Sequence, residues 1–223
     1  MNRIRSRALP PPTLAHLRQR CSAARSAPHQ SLAGALLLAL LAWPGTRALL
    51  EASMWRHMVL QLPLLLLAGS LLAAALPAAA RARLARWNAH GISGLLLVLL
   101  CLALWMVPRA LDLALRDGWV ETGKFALLTT SGAALRLSWR AAGRIMQGFF
   151  LGNLLPMTYV VGQLYLDSPL RLCNAYLLDD QERLGRWLMS LAALSAAAWV
   201  ARVFWLLARR EEAAAPARQP GDS

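Results

Sequence analysis

The sequence predicts an all-α protein, a polytopic transmembrane bundle of about six helices, and three observations lead there. The 223-residue chain is 57% hydrophobic but only 16% charged. Its charged residues gather between long Leu/Ala/Val runs instead of being spread along them. The formal net charge of +13 is nearly all arginine, placed at the ends of those runs. Crossing roughly 30 Å of hydrocarbon takes about 20 apolar residues, and every backbone amide in lipid needs an internal partner, so helices are the expected spanning form.

The N-terminal 30 residues, MNRIRSRALPPPTLAHLRQRCSAARSAPHQ, are arginine-rich, proline-broken and free of acid. They read as a disordered basic cytoplasmic tail without a convincing cleavage site after it. The membrane domain follows over 31–208. Apolar segments fall at 31–50, 57–77, 89–108, 120–138, 145–166 and 186–208, the fourth being weak. The remaining residues, 209–223, are polar, alanine- and proline-rich, and read as a second disordered tail.

Alternate loops differ in charge, and the arginine-rich ones share one side. Arg81, Arg83 and Arg86 lie in one loop, Arg136, Arg140 and Arg144 in another, and Arg209 and Arg210 follow the last segment. The other loops carry Glu51, Asp112, Asp117, Glu121, Asp167, Asp179, Asp180 and Glu182. Basic residues in short loops stay preferentially in the cytoplasm, so both termini are expected there. Membrane topology accounts for the basic excess, and no basic face with interleaved aromatics points to nucleic acid. Cys21, Cys101 and Cys173 lack zinc-type spacing and are odd in number, which argues against a disulfide framework.

This orientation gives each polar side chain a depth. Met54, His57, Met58 and Gln61 enter from the outer face, in ASMWRHMVLQLPLLLLAG. Residues three and four apart share a helix face, so Met54, His57 and Gln61 form one stripe with Met58 beside it. Met106 ends the third segment on the same side, and Met157 and Gln163 lie in the outer half of the fifth. Thioether sulfur and imidazole nitrogen suit Cu(I). The plainer alternative is that methionine fills gaps between helices and an interfacial histidine bonds to a headgroup or carbonyl. Sequence leaves both open.

Gly152, Asn153 and Pro156 interrupt or bend the fifth segment, and Pro156 frees a carbonyl one turn back. A bend there would aim Met157 and Gln163 at the outer cluster; equally, Gly and Pro serve close packing. Lys124 with Glu121 reads as an i, i+3 ion pair near the outer boundary. His90 reads as capping or anchoring the third helix. Because His57 and His90 enter from opposite faces, one heme between them is not expected. Asp179 and Asp180 read as a solvated turn, and the stretch around Leu170, Leu172, Leu177 and Leu178 as a short interfacial helix that is either a lid over the outer cluster or a stabilising cap. No nucleophile–base pair, phosphate-binding glycine loop or paired catalytic carboxylate appears, so no enzyme is expected.

Two features together resemble the CtaG-like family of bacterial membrane proteins associated with cytochrome oxidase assembly. One is a histidine and glutamine at the outer start of an apolar helix, MWRHMVLQLPLLLLAG; the other is Asp180, Gln181 and Gly185 in LDDQERLGRWLM before the last helix. The resemblance covers these stretches and the helical layout. It implies a bundle in the bacterial inner membrane that helps deliver copper to the oxidase, with lipid, oxidase subunits or a periplasmic copper donor as partners. By position, His57 is then a metal-contacting residue and Asp180 and Gln181 belong to the outer-face motif. The chain has one histidine in its outer half and one helix fewer than the family usually offers. Met54, Met58, Met106 and Met157 would then supply the remaining soft ligands, with Gln61 orienting His57. The expected function is copper handling or oxidase assembly. A metal-free accessory subunit of a respiratory complex is the alternative, and a small-solute transporter a weaker third, since no paired broken helices are evident.

Overall fold

The computed structural model describes residues 14–214, with side chains over 27–209 and at 211, and these residues form helices joined by short turns and loops, with no strand among them. In chain order they form α1 (Leu14–Ala42), α2 (Pro44–Glu51), a π-helix (Arg56–Gln61), α3 (Leu62–Leu72) and a 3-10 turn (Ala73–Ala75). There follow α4 (Ala78–Trp87), α5 (Ile92–Trp105), α6 (Pro108–Arg116), α7 (Gly118–Ala141), α8 (Gly143–Asp167) and α9 (Leu178–Ala214).

Three helices are long and apolar enough to cross a bilayer: Arg56–Ala75, Gly143–Asp167 and Leu178–Arg209. The number rises to five if two bent pairs each count as one crossing, Ala27–Ala42 with Pro44–Glu51 (69°) and Ala78–Trp87 with Ile92–Trp105 (84°). Proline explains one bend: Pro44 opens α2 at its first turn, where its missing N–H costs nothing, and Trp43 before it is held extended. α7 is not among the five, in line with the weakness of the fourth apolar segment.

α3 lies between α1 and α7, α7 also packs on α5, and α8 pairs with α9. Backbone sets two of these crossings. A Cβ on Gly69 would meet the Thr129 carbonyl oxygen at 1.8 Å, and one on Gly132 would meet that of Leu66 at 1.9 Å, so α3 and α7 touch through main chain. Gly162 and Gly185 face each other in the same way on α8 and α9. Small residues permit such contact where lipid gives helices no hydrophobic reason to associate. Leucines left exposed by the bundle, among them Leu36, Leu100, Leu164 and Leu194, then face hydrocarbon.

Several expectations change. Residues 14–30, expected as tail, belong to α1, and α9 runs from Leu178 to Ala214 instead of 186 to 208. What precedes residue 14 or follows residue 214 lies outside the described residues. The stretch 168–177 forms no interfacial helix but a loop tied by side-chain hydrogen bonds, with Leu172 packed on the core and Leu170 and Leu177 exposed, and the helix starts only at Leu178. α8 continues through Pro156 without interruption, and Gln163 is exposed, so the fifth segment does not direct it toward the outer cluster. Asn88, not His90, caps α5: its side-chain oxygen accepts from the Gly94 amide at 3.2 Å and from the Ser93 hydroxyl at 3.0 Å.

Candidate functional site

At one end of the bundle, a short run of α2, the π-helix, the start of α7 and the loop 168–177 enclose a group of buried polar side chains. The π-helix comes from the segment RHMVLQ, and the Leu62 amide closes it by donating to the His57 carbonyl five residues back. His57, Met58 and Gln61 are its buried residues. Such single π turns occur often at functional sites.

Lys124, from α7, is 0% exposed, as are His57 and Gln61. Four acceptors surround its ammonium: His57 Nε2 at 2.8 Å, Glu121 Oε2 at 2.9 Å, Gln61 Oε1 at 3.0 Å and Glu51 Oε1 at 3.2 Å. Three N–H bonds cannot serve four acceptors along good directions, and the contact with Glu121 is the least well directed, an ion pair at 2.9 Å rather than an aligned hydrogen bond. Gln61 Nε2 also donates to Glu51 Oε1 at 3.2 Å, and Arg47 Nε lies 3.4 Å from Glu51 Oε2. Two cations thus face two carboxylates. The expected Glu121–Lys124 pair is present, but as the centre of a buried cage and not as a boundary ion pair.

The hydrogen bonds fix the histidine tautomer. Tyr176, from the loop, donates its hydroxyl proton to the Glu51 carbonyl at 2.9 Å, so it can only accept from His57 Nδ1, also at 2.9 Å. Nδ1 therefore carries the ring proton, and Nε2 is the bare nitrogen that accepts from Lys124. A continuous chain runs from Lys124 through His57 to Tyr176. Tyr176 in turn lines an open cleft of about 310 Å³ with Ser53, Asp179, Asp180 and Arg183, so the chain ends at the surface.

The loop is locked by three side chains. Asp180, expected in a solvated turn, accepts from the Ser53 hydroxyl at 2.6 Å and from the Met54 amide, pinning α9 to the start of the histidine helix. Gln181 accepts from the Leu172 amide at 2.8 Å and donates to the Tyr165 carbonyl at 3.1 Å. Asp112, on α6, accepts from the Asn174 and Ala175 amides at 2.9 and 3.2 Å and from the Cys173 thiol at 3.0 Å. Burial raises Asp112, but the Cys173 thiol, those two amides and Arg116 outweigh it and hold the carboxyl below its usual range. Burial, with Asp112 beside it, pushes Cys173 up to about 12, which keeps it a thiol donor. Burial raises Tyr176 as well, followed by the charges around it, and keeps it a phenol.

Of the expected soft ligands, Met54 and Met58 belong to the same buried core as Tyr176, and Met106 packs against it. Met58 and Met106 line one cleft of about 200 Å³; Met157, half-buried on α8, does not line it. As arranged, these residues do not fit copper. Both His57 nitrogens are engaged, and an ammonium sits 2.8 Å from the one that would bind metal. The sequence reading underrated Lys124 and missed Glu51, Ser53 and Tyr176. A lysine within a membrane domain is itself a functional signal. Nothing local in the sequence marks the other three.

Compared with protein-family models, curated proteins and solved structures, the chain matches none of them.

Proposed function

We propose that the chain is a multi-pass inner-membrane protein, crossing six times with both termini cytoplasmic, that assists assembly of a respiratory cytochrome oxidase without holding a metal of its own. One observation carries the metal-free part: the Lys124 ammonium stands among His57, Gln61, Glu51 and Glu121 where a bound cation would stand. The oxidase part rests on the resemblance, and the work done by its residues supports it. His57 is central to the cage, Asp180 and Gln181 bind the loop over it, and Gly185 meets Gly162 where α8 and α9 cross. In this reading the outer cleft beside Tyr176 receives an oxidase subunit, and the tethered charge keeps the cage closed and rigid.

Copper handling is the second reading, favoured by Met54, Met58 and Met106 gathering in one core beside His57. It requires Lys124 to withdraw.

Oxidase activity in a strain lacking the protein tests the first reading. Activity should fall, return with the wild-type chain and with Met54→Leu, and stay low with Lys124→Met. Unchanged activity in the deletion strain removes oxidase assembly. Anaerobic Cu(I) loading of the purified protein separates the two readings: stoichiometric copper that disappears in a His57→Ala, Met54→Leu double variant establishes copper handling instead.

A further inference from the structure

The end of the bundle opposite the cage holds a second feature, independent of the reading above. A cleft of about 920 Å³ opens there between the middle of α1, the end of α3, α4, the last turns of α7 and the first half of α8. Three arginines line it, Arg81, Arg136 and Arg140, and among the described residues no acidic one does. All three are exposed, and none belongs to an ion pair among the described residues. Arg136 is held in place by neutral partners only, donating to the Ser70 carbonyl at 2.9 Å and to Gln30 Oε1 at 2.6 Å. Its charge is positioned but not neutralised.

Much of the remaining lining is apolar, including Leu135, Trp139, Phe150 and Leu151. Trp139 stacks edge-on against Phe150, which fixes this wall. α4 meets α5 at 84°, so Arg81 arrives on a helix turned sharply from the one that follows it. Trp87, at the end of the same helix, is 84% exposed, as suits a side chain at the headgroup level. Positive charge and hydrocarbon surface side by side in one cleft match the two halves of one kind of molecule.

We infer that this cleft binds an anionic phospholipid, its phosphate on Arg81, Arg136 and Arg140 and its acyl chains along Leu135, Phe150 and Leu151. A soluble phosphate would use the guanidinium groups but leave the apolar wall without a partner. Basic pockets between helices on the cytoplasmic side are a known setting for such headgroups, each basic residue near the surface contributing about fivefold in affinity.

The test uses the full chain in detergent, with lipid retention read by native mass spectrometry and by thermal unfolding. Phosphatidylglycerol or cardiolipin should be retained at least about tenfold better than phosphatidylcholine, given about fivefold for each arginine engaged. An Arg81→Gln, Arg140→Gln double variant, which leaves the Arg136 hydrogen bonds intact, should lose most of that preference. Arg209→Gln, a basic site outside the cleft, should keep it. If the double variant does not fold, Arg140→Gln alone should lower the preference about fivefold. Equal retention of phosphatidylcholine, or a preference unchanged in the cleft variants, overturns the inference. So does inorganic phosphate that raises the unfolding temperature as much as the lipid, since the occupant is then a soluble anion.

Discussion

The two ends of the bundle handle charge in opposite ways. At the cage, Lys124 and Arg47 meet Glu51 and Glu121, the signs balance, and Lys124 is withdrawn from solvent altogether. At the cleft, Arg81, Arg136 and Arg140 share one sign, stay exposed and have no internal counterion among the described residues. A buried charge is stable only with its partners in place, whereas an exposed one is solvated and free to meet something else. The lesson is that polar residues in this fold have two uses: those that close one end are spent on each other, and those at the other end remain available.

That contrast predicts unequal costs. Lys124→Met leaves the buried Glu121 and the half-buried Glu51 without their shared cation, and should cost about 3–5 kcal/mol, read as a large drop in unfolding temperature in detergent. Adding Glu121→Gln should recover part of it; equal losses in the single and double variants would mean that the cage is not electrostatically coupled. Tyr176→Phe should cost about 1–3 kcal/mol, because His57 Nδ1 and the Glu51 carbonyl each lose a hydrogen-bond partner in a buried setting. Hydrogen exchange should show the loop 168–177 opening first.

Asp112 adds a pH signature to the cage end. Its folded carboxyl lies below the unfolded value, so its contribution is fully present above the ordinary aspartate range and is lost as pH falls through the folded value. Wild type should therefore lose stability on the acid side more steeply than Asp112→Asn, which should cost about 1 kcal/mol at neutral pH. Coincident acid limbs for the two proteins would remove Asp112 as a pH-linked clamp. The smallest effect belongs to the other end: Arg140→Gln should change stability by less than about 0.5 kcal/mol. A larger loss there would mean that the cleft arginines are structural after all.

Much of the helical layout was legible because apolar length is a property of each segment alone. The stripe of Met54, His57 and Gln61 was legible for a related reason: their spacing places them on one face, and all three are buried. What sequence could not supply was the partner. Glu121 and Lys124 stand three residues apart, and local spacing alone makes them a surface pair; only the packing of α7 against α3 carries Lys124 into the interior. Tyr176 lies 119 positions from His57 in the chain, in a loop whose leucine pattern suggested a helix, and no periodicity joins the two. The tightness of the Gly69–Gly132 crossing was likewise hidden, since a glycine in an apolar run gives no sign of what its missing side chain admits.

The π turn at Arg56–Gln61 makes the cage sensitive to residue count as well as residue type. A π turn amounts to one residue more than an α-helix would use, and each residue of an α-helix advances the chain by roughly 100° about its axis. Deleting a single residue there, with every cage side chain retained, would swing His57 out of line with Lys124 and Tyr176 while leaving the apolar span below it long enough to cross the bilayer. A chain can thus keep its hydropathy profile and all the chemistry of this site and still lose the site, through register alone.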